Sequence, residues 1–435
     1  MSRISIPFKF ILSLPMGILV TMLSSLATAQ IRPPNYDEAL TGKLDLANVL
    51  ANESGVPITN EDQWPGQRAY LVKLLATEEF GFGPQQPVTV RFEVFEQGDL
   101  LDGKAVRKQI AVFIKRADGK SDKELRVDLL IYMPKNATKP VPCFLGLNFR
   151  GNHGTWEDPS IRLTENWVTK DEGVVDNRAT EAARKSTAFR YPVDRIVERG
   201  YAVATAYYGD IDPDFDDNFE NGIHSLFPEH KPDEAHPDRW GSIAAWAWGL
   251  SRLADVVEKL PEIDAKKIMV IGHSRLGKTA LWAGATDERF RIVYSNNSGC
   301  GGAALSKRVF GESVARINTS FPHWFCRNFR KYNDREESLT FDQHQLIAAI
   351  APRPVYIASA TKDQWADPKG EYMSGWFASP AYALLGLKGL PGPEMPEVSK
   401  SVGEYVGYHI REGEHALLPF DWEHYMDFAD RHLAK

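Results

Sequence analysis

The residues best able to do chemistry lie together in Gly272-His273-Ser274-Arg275-Leu276-Gly277-Lys278-Thr279. The apolar run Ile268–Ile271 leads in and suits a buried strand; Thr279-Ala280-Leu281-Trp282-Ala283 leads out with helix formers. Two chemistries compete for this segment. In one, Ser274 is a nucleophile on a tight strand-to-helix turn, where the helix N-terminus favours developing negative charge. The usual G-x-S-x-G spacing is altered, because the second glycine, Gly277, comes one place late. In the other, Gly272, Gly277, Lys278 and Thr279 match G-x-x-x-x-G-K-[ST] literally. Backbone N–H groups of Gly272–Thr279 would then cradle a nucleotide's phosphates, with Lys278 reaching them. On the motif alone the phosphate loop is the better match.

The rest of the chain separates the two. A nucleotide hydrolase needs a second apolar strand ending in Asp to hold magnesium; the strand expected at Arg291–Ser295 runs into Asn296-Asn297. A serine hydrolase needs an acid and then a histidine after later strands. Pro352–Ala358 leads to Asp363, and Glu404–Ile410 leads to His415. The hydroxyl of Ser274 becomes a useful nucleophile only when a histidine takes its proton, an effect of about 10²–10⁴ in rate. The carboxylate fixes the ring's tautomer and steadies the imidazolium. Asp367 is the rival acid, but it lies deeper in its loop beside Pro368.

The N-terminus also weighs against the phosphate loop. Arg3 and Lys9 precede an apolar run, Phe10–Leu23, and Ala27-Thr28-Ala29 supplies a small-x-small cleavage site. Residues 1–29 are expected to be a signal peptide cut after Ala29, placing the mature chain in the periplasm or outside the cell, where ATP is scarce. An uncleaved anchor is the alternative, but Pro15 and Gly17 interrupt the run and a span needs about 20 residues. The composition, 43% hydrophobic and 25% charged, allows a large core. The formal net charge of −7 becomes more negative once Arg3 and Lys9 are removed, which argues against nucleic-acid binding. Of the three cysteines, Cys300 and Cys326 could pair, or all three thiols could be buried and free; no spacing suggests a zinc site.

These groups need a scaffold. One domain over 30–435 is expected, with an N-terminal extension over about 30–87 in which Gln63–Glu79 is helical. Antiparallel strands are expected at Val88–Val94 and Gln109–Ile114, with further strands at Leu125–Met133, Val141–Phe149 and Tyr201–Tyr207 and a short helix at Val193–Arg199. The polar stretch Thr155–Ser186 is expected to be an insertion forming a lid or cleft wall, with disorder as the alternative. Asp210, Asp212, Asp214, Asp216 and Asp217 read as a solvated loop, since the calcium-loop positions for glycine and glutamate hold Asp217 and Ile223. His230, Asp233, Glu234 and His236 make poor ligand geometry. Apolar spacing predicts helices over Arg239–Leu260 and Trp422–Leu433, and another is expected between Pro380 and Leu387. Strands separated by helices predict a mainly parallel central sheet flanked by helices on both faces.

Gly272-His273-Ser274-Arg275-Leu276-Gly277 resembles the G-x-S-R-x-G signature of the glucuronoyl esterases, carbohydrate esterase family 15. Trp240-Gly241-Ser242, Ser298-Gly299-Cys300-Gly301-Gly302, Phe321-Pro322-His323-Trp324-Phe325, Trp365-Ala366-Asp367-Pro368 and Glu414-His415 resemble bacterial members. The resemblance runs from Val141 to the C-terminus. It implies an α/β-hydrolase fold and a secreted serine esterase that needs no cofactor or metal. Its substrates would be glucuronoxylan or lignin–carbohydrate esters of glucuronate. Ser274, His415 and Asp363 would form the triad, and Arg275 the oxyanion hole. Lys278, Glu312 and Trp365 match uronate-binding positions, while His323 and Trp324 are expected to be structural. Many members carry a glutamate where this chain has Asn297, whose amide cannot hold an imidazolium by charge; a bacterial subset uses the later aspartate, which Asp363 fits. The rivals are an acetyl-xylan or other carbohydrate esterase, the nucleotide-binding protein, and a catalytically dead sugar-binding module. A monomer without membrane association in its mature form is expected.

Overall fold

Runs such as Cys143-Phe144-Leu145 and Met269-Val270-Ile271 leave no polar side on their strands, so both faces must be covered. The structure, a computed structural model, describes residues 32–41 and 44–433. The expected signal peptide lies outside the described residues.

In chain order the strands are β1 (Val88–Leu100), β2 (Ala105–Arg116), β3 (Glu124–Pro134), β4 (Val141–Asn148), β5 (Val174–Val175), β6 (Arg178–Ala179), β7 (Ala202–Tyr207), β8 (Ile263–His273), β9 (Val293–Asn296), β10 (Val355–Ala360), β11 (Ser401–Val402) and β12 (Val406–Arg411). The helices are α1 (Trp64–Leu75), α2 (Val193–Glu198), α3 (Tyr208–Ile211), α4 (Ser242–Val257), α5 (Arg275–Thr286), α6 (Val314–Ser320), α7 (Gln343–Ala348), α8 (Pro368–Leu384) and α9 (Pro419–Leu433).

Among the described residues the main sheet runs β1-β2-β3-β7-β4-β8-β9-β10-β12-β11. Strands β7, β4, β8, β9, β10 and β12 pair in parallel. The β1–β2–β3 meander joins β7 antiparallel, and β11 closes the other edge antiparallel. Alternate residues of each central strand face opposite layers. Leu145 and Val270 pack with Ile243, Leu250 and Leu253 of α4 and Leu281 of α5. Phe144, Met269 and Ile271 pack with Val193 and Ile196 of α2 and Trp422, Tyr425 and Met426 of α9. Because the central strands are parallel, His273, Asn296, Ala360 and Arg411 end on one edge of the sheet, where ligand sites of such sheets form.

Several expectations need correcting. The acidic stretch is not a solvated loop: Asp210, Asp212 and Asp214 are buried. Asp212 faces His224 Nδ1 at 2.8 Å and accepts from Ser242 Oγ at 2.6 Å. Asp210 accepts from Asn166 Nδ2 at 2.7 Å. Nor is the 155–186 stretch disordered. It contains the antiparallel β5–β6 pair, and Trp167 O accepts from the Tyr207 hydroxyl at 2.6 Å. Helix α8 begins at Pro368, well before the expected Pro380. Pro368 occupies a first-turn position, where its missing N–H costs nothing. The three cysteines are free and buried, so Cys300 and Cys326 are not paired.

Candidate active site

Ser274 joins β8 to α5 with φ 58° and ψ −131°, a backbone conformation that costs an L-residue about 1–3 kcal/mol. It is held on both sides. Its N–H donates to Asn296 O at 2.9 Å, and its carbonyl accepts from Gly277 N at 2.8 Å and Lys278 N at 3.2 Å. Gly272 is needed because a Cβ there would lie 1.8 Å from Leu276 O. A Cβ on Gly277 would come within 3.0 Å of Ser298 Cβ and 3.1 Å of Ser295 Oγ. The late glycine thus marks the point where α5 crosses the end of β9.

His415 lies beyond β12, and its Nδ1 faces Oδ2 of Asp363, beyond β10, at 2.6 Å. The imidazole is 41% exposed, whereas the Asp363 side chain is 3% exposed. With Nδ1–H on the carboxylate, Nε2 is left to accept a proton. The two loops are laced together by Thr361 N donating to Arg411 O and Lys362 N to Gly413 O, both at 2.9 Å. The ring of His273, immediately before Ser274, lies 4.5 Å from that of His415, which places His415 beside the serine turn. Burial, followed by the His415 charge, holds His273 well below the ordinary imidazole range. His273 therefore stays neutral, with Nδ1 2.6 Å from Asn296 Oδ1. Asp367 is differently engaged: it caps α8, accepting from Gly370 N at 2.9 Å and Arg308 Nε at 2.7 Å.

Arg275 follows Ser274 at the start of α5, where the first N–H groups of a helix lack intrahelical acceptors. Its guanidinium pairs with Asp214 and lies 4.7 Å from the Trp324 ring centroid. Asp214 also faces His323 Nε2 at 2.9 Å and accepts from Trp324 Nε1 at 2.7 Å and the Tyr208 hydroxyl at 2.8 Å. Burial pushes the Asp214 carboxyl upward, but the His323 hydrogen bond and the Arg275 charge outweigh it and hold the group far below the usual range. This cluster escaped the sequence reading, which took Asp214 as solvated and His323 and Trp324 as merely structural. Its members come from distant parts of the chain, so no local spacing announces them.

Lys278 is buried and donates to Ser298 O at 2.5 Å, with Glu312 3.6 Å away. Burial raises the Glu312 carboxyl, and the Lys278 charge only partly offsets this. Glu312 N donates to Trp365 O at 3.0 Å, and the Trp365 side chain is exposed beside it. Lys278, Glu312 and Trp365 thus lie together. They do not form a phosphate loop: Lys278 points to Ser298 and Glu312, and the Thr279 hydroxyl is turned back onto Arg275 O at 3.0 Å.

Sheet order, the serine turn after β8 and the polar groups on the loops after β10 and β12 define the α/β-hydrolase class. Comparison with known proteins narrows the class. A family model described as "Glucuronyl esterase, fungi" matches residues 234–386. A carbohydrate esterase from an unknown prokaryotic organism is 47% identical over 412 residues, covering 93% of this chain and 94% of that protein. A family 15 esterase from a marine bacterial metagenome, described as promiscuous, superposes with a TM-score of 0.85 at 46% identity, covering 92% of this chain and 100% of that one. The glucuronoyl esterase of Solibacter usitatus gives 0.84 at 42% identity, covering 91% and 99%. The chain belongs to carbohydrate esterase family 15, the glucuronoyl esterases.

Proposed function

We propose that the protein hydrolyses esters of glucuronic or 4-O-methyl-glucuronic acid, such as those linking lignin alcohols to glucuronoxylan, through an acyl-enzyme. The observation that carries this reading is the His415–Asp363 contact at 2.6 Å beside the strained turn of Ser274. Ser274 Oγ attacks the ester carbonyl while His415 Nε2 takes its proton. The backbone N–H of Arg275, with its guanidinium close by, stabilises the oxyanion; losing one such donor typically costs about 3–4 kcal/mol. His415 then protonates the departing alcohol, and water activated by the same ring releases glucuronate. Lys278 and Glu312 bind the uronate hydroxyls, and Trp365 offers the sugar a flat apolar wall.

The remaining expectations complete the proposal: a cleaved signal peptide, export to the periplasm or beyond, and a monomer built as one catalytic domain over 30–435 with the 155–186 insertion beside its loops. Among the described residues no helix is long and apolar enough to cross a membrane. The test compares methyl glucuronate with acetylated xylan, alongside labelling of Ser274 by a fluorophosphonate. Faster turnover of the glucuronate ester supports the reading. A preference for acetylated xylan points to the other carbohydrate esterase, and failure to label Ser274 points to a catalytically dead sugar-binding module.

A further inference from the structure

The loop that carries His415 has little packing of its own. Glu412, Glu414 and His415 are exposed, and Gly413 takes a φ of 120°. Loops with so few buried contacts open easily, yet a catalytic ring must be held to within about 0.5 Å of its working position.

A buried cation addresses this conflict. Arg411, the last residue of β12, is 3% exposed in its side chain. Its guanidinium donates to the carbonyls of Glu412 at 3.1 Å, Glu414 at 2.8 Å and Ala416 at 2.6 Å, so it grips the loop on both sides of His415. Arg411 Nε donates to Asp421 Oδ2 at 3.2 Å. Asp421 is fully buried in the first turn of α9, where it accepts from Leu418 N at 2.7 Å and faces His409 Nε2 at 2.9 Å. The planar guanidinium bridges several acceptors in fixed directions, which an ammonium cannot do.

We propose that Arg411, anchored by Asp421, is a positioning residue that locks the His415 loop in its working geometry without touching substrate. The proposal rests on the reading of Ser274 and His415 given above. Its test uses the full-length protein as wild type, Arg411→Lys and Asp421→Asn. Three quantities are measured: kcat and KM on benzyl glucuronate, the rate of Ser274 labelling by a fluorophosphonate, and Tm. Arg411→Lys keeps the charge facing Asp421 but cannot span the three carbonyls. Its kcat is expected to fall about 10- to 100-fold, the scale of a 1 Å misplacement, with KM within about twofold and labelling slowed in parallel. Asp421→Asn is expected to shift kcat in the same direction by less. The proposal is overturned if folded variants keep kcat within about twofold of wild type, if the loss appears in KM, or if both variants fail to fold at 25 °C, which would make the pair a requirement of the fold alone. Should the wild type not hydrolyse benzyl glucuronate, the glucuronate reading falls, while relative labelling rates still decide the clamp.

Discussion

The side-chain amide of Asn297 donates to Oδ2 of Asp363 at 2.8 Å, the same oxygen that faces His415 Nδ1. Asn297 sits just past β9 with a φ of 46°, so the strand end aims its amide at the carboxylate. As a neutral donor it holds the Asp363 carboxylate in place. Asn297→Ala is expected to lower kcat about 10- to 150-fold with KM unchanged, in line with about 1.5–3 kcal/mol for a hydrogen bond to a charged group, as steady-state kinetics would show.

The buried Lys278–Glu312 pair predicts a separation of stability from binding. Glu312→Gln leaves the ammonium uncompensated and should lower stability by about 3–5 kcal/mol while raising KM. The double variant Lys278→Met with Glu312→Leu should recover most of that stability, yet leave KM high. Denaturant melts and Michaelis curves on one set of proteins separate the two effects.

Asp214 links the site to the acid limit of the fold. Its carboxyl is held below the ordinary value of 3.8. Its stabilisation is therefore present above that value and lost as pH falls through the lower, folded-state value. Asp214→Asn should show a shallower loss of Tm below about pH 4. At neutral pH its freed Arg275 guanidinium should lower kcat. An acid-melting series with an activity assay at pH 7 measures both.

Glu371 works in the opposite sense. Its Oε1 accepts from Ser298 N at 2.7 Å and Gly299 N at 3.0 Å, and its Oε2 from Ser359 Oγ at 2.6 Å. Burial, with a smaller push from Asp363, raises its carboxyl from 4.5 to about 8. Between these values the folded state binds more protons than the unfolded state, so stability falls as pH rises, with a slope of up to about 1.4 kcal/mol per pH unit for one proton. Glu371→Gln mimics the protonated form and should flatten the decline of Tm between pH 5 and 8.

What could be read in advance, and what could not, follows from how far apart the partners lie. The order Ser274, Asp363, His415 is visible because each follows a short apolar run, and parallel strands bring their ends to one edge. The Asp214 cluster was invisible. A run of aspartates looks solvated until partners such as His323, more than a hundred residues away, come to meet it. Helix α8 was half seen, since its expected start at Pro380 falls inside it. In the structure Pro368 starts the helix, and Gly375 lets it approach Leu390, Ile357 and Val406. Arg411 carries no signal in the sequence, since nothing local shows that the following loop turns back over it.

The most direct measurement is kcat on benzyl glucuronate for wild type, Ser274→Ala, Asp363→Ala and Asp367→Asn. The account predicts a loss of at least about 10³ for Ser274→Ala and about 10²–10⁴ for Asp363→Ala. Asp367→Asn, which keeps a helix cap, should turn over at close to the wild-type rate. Full activity in Asp363→Ala together with a dead Asp367→Asn would contradict it.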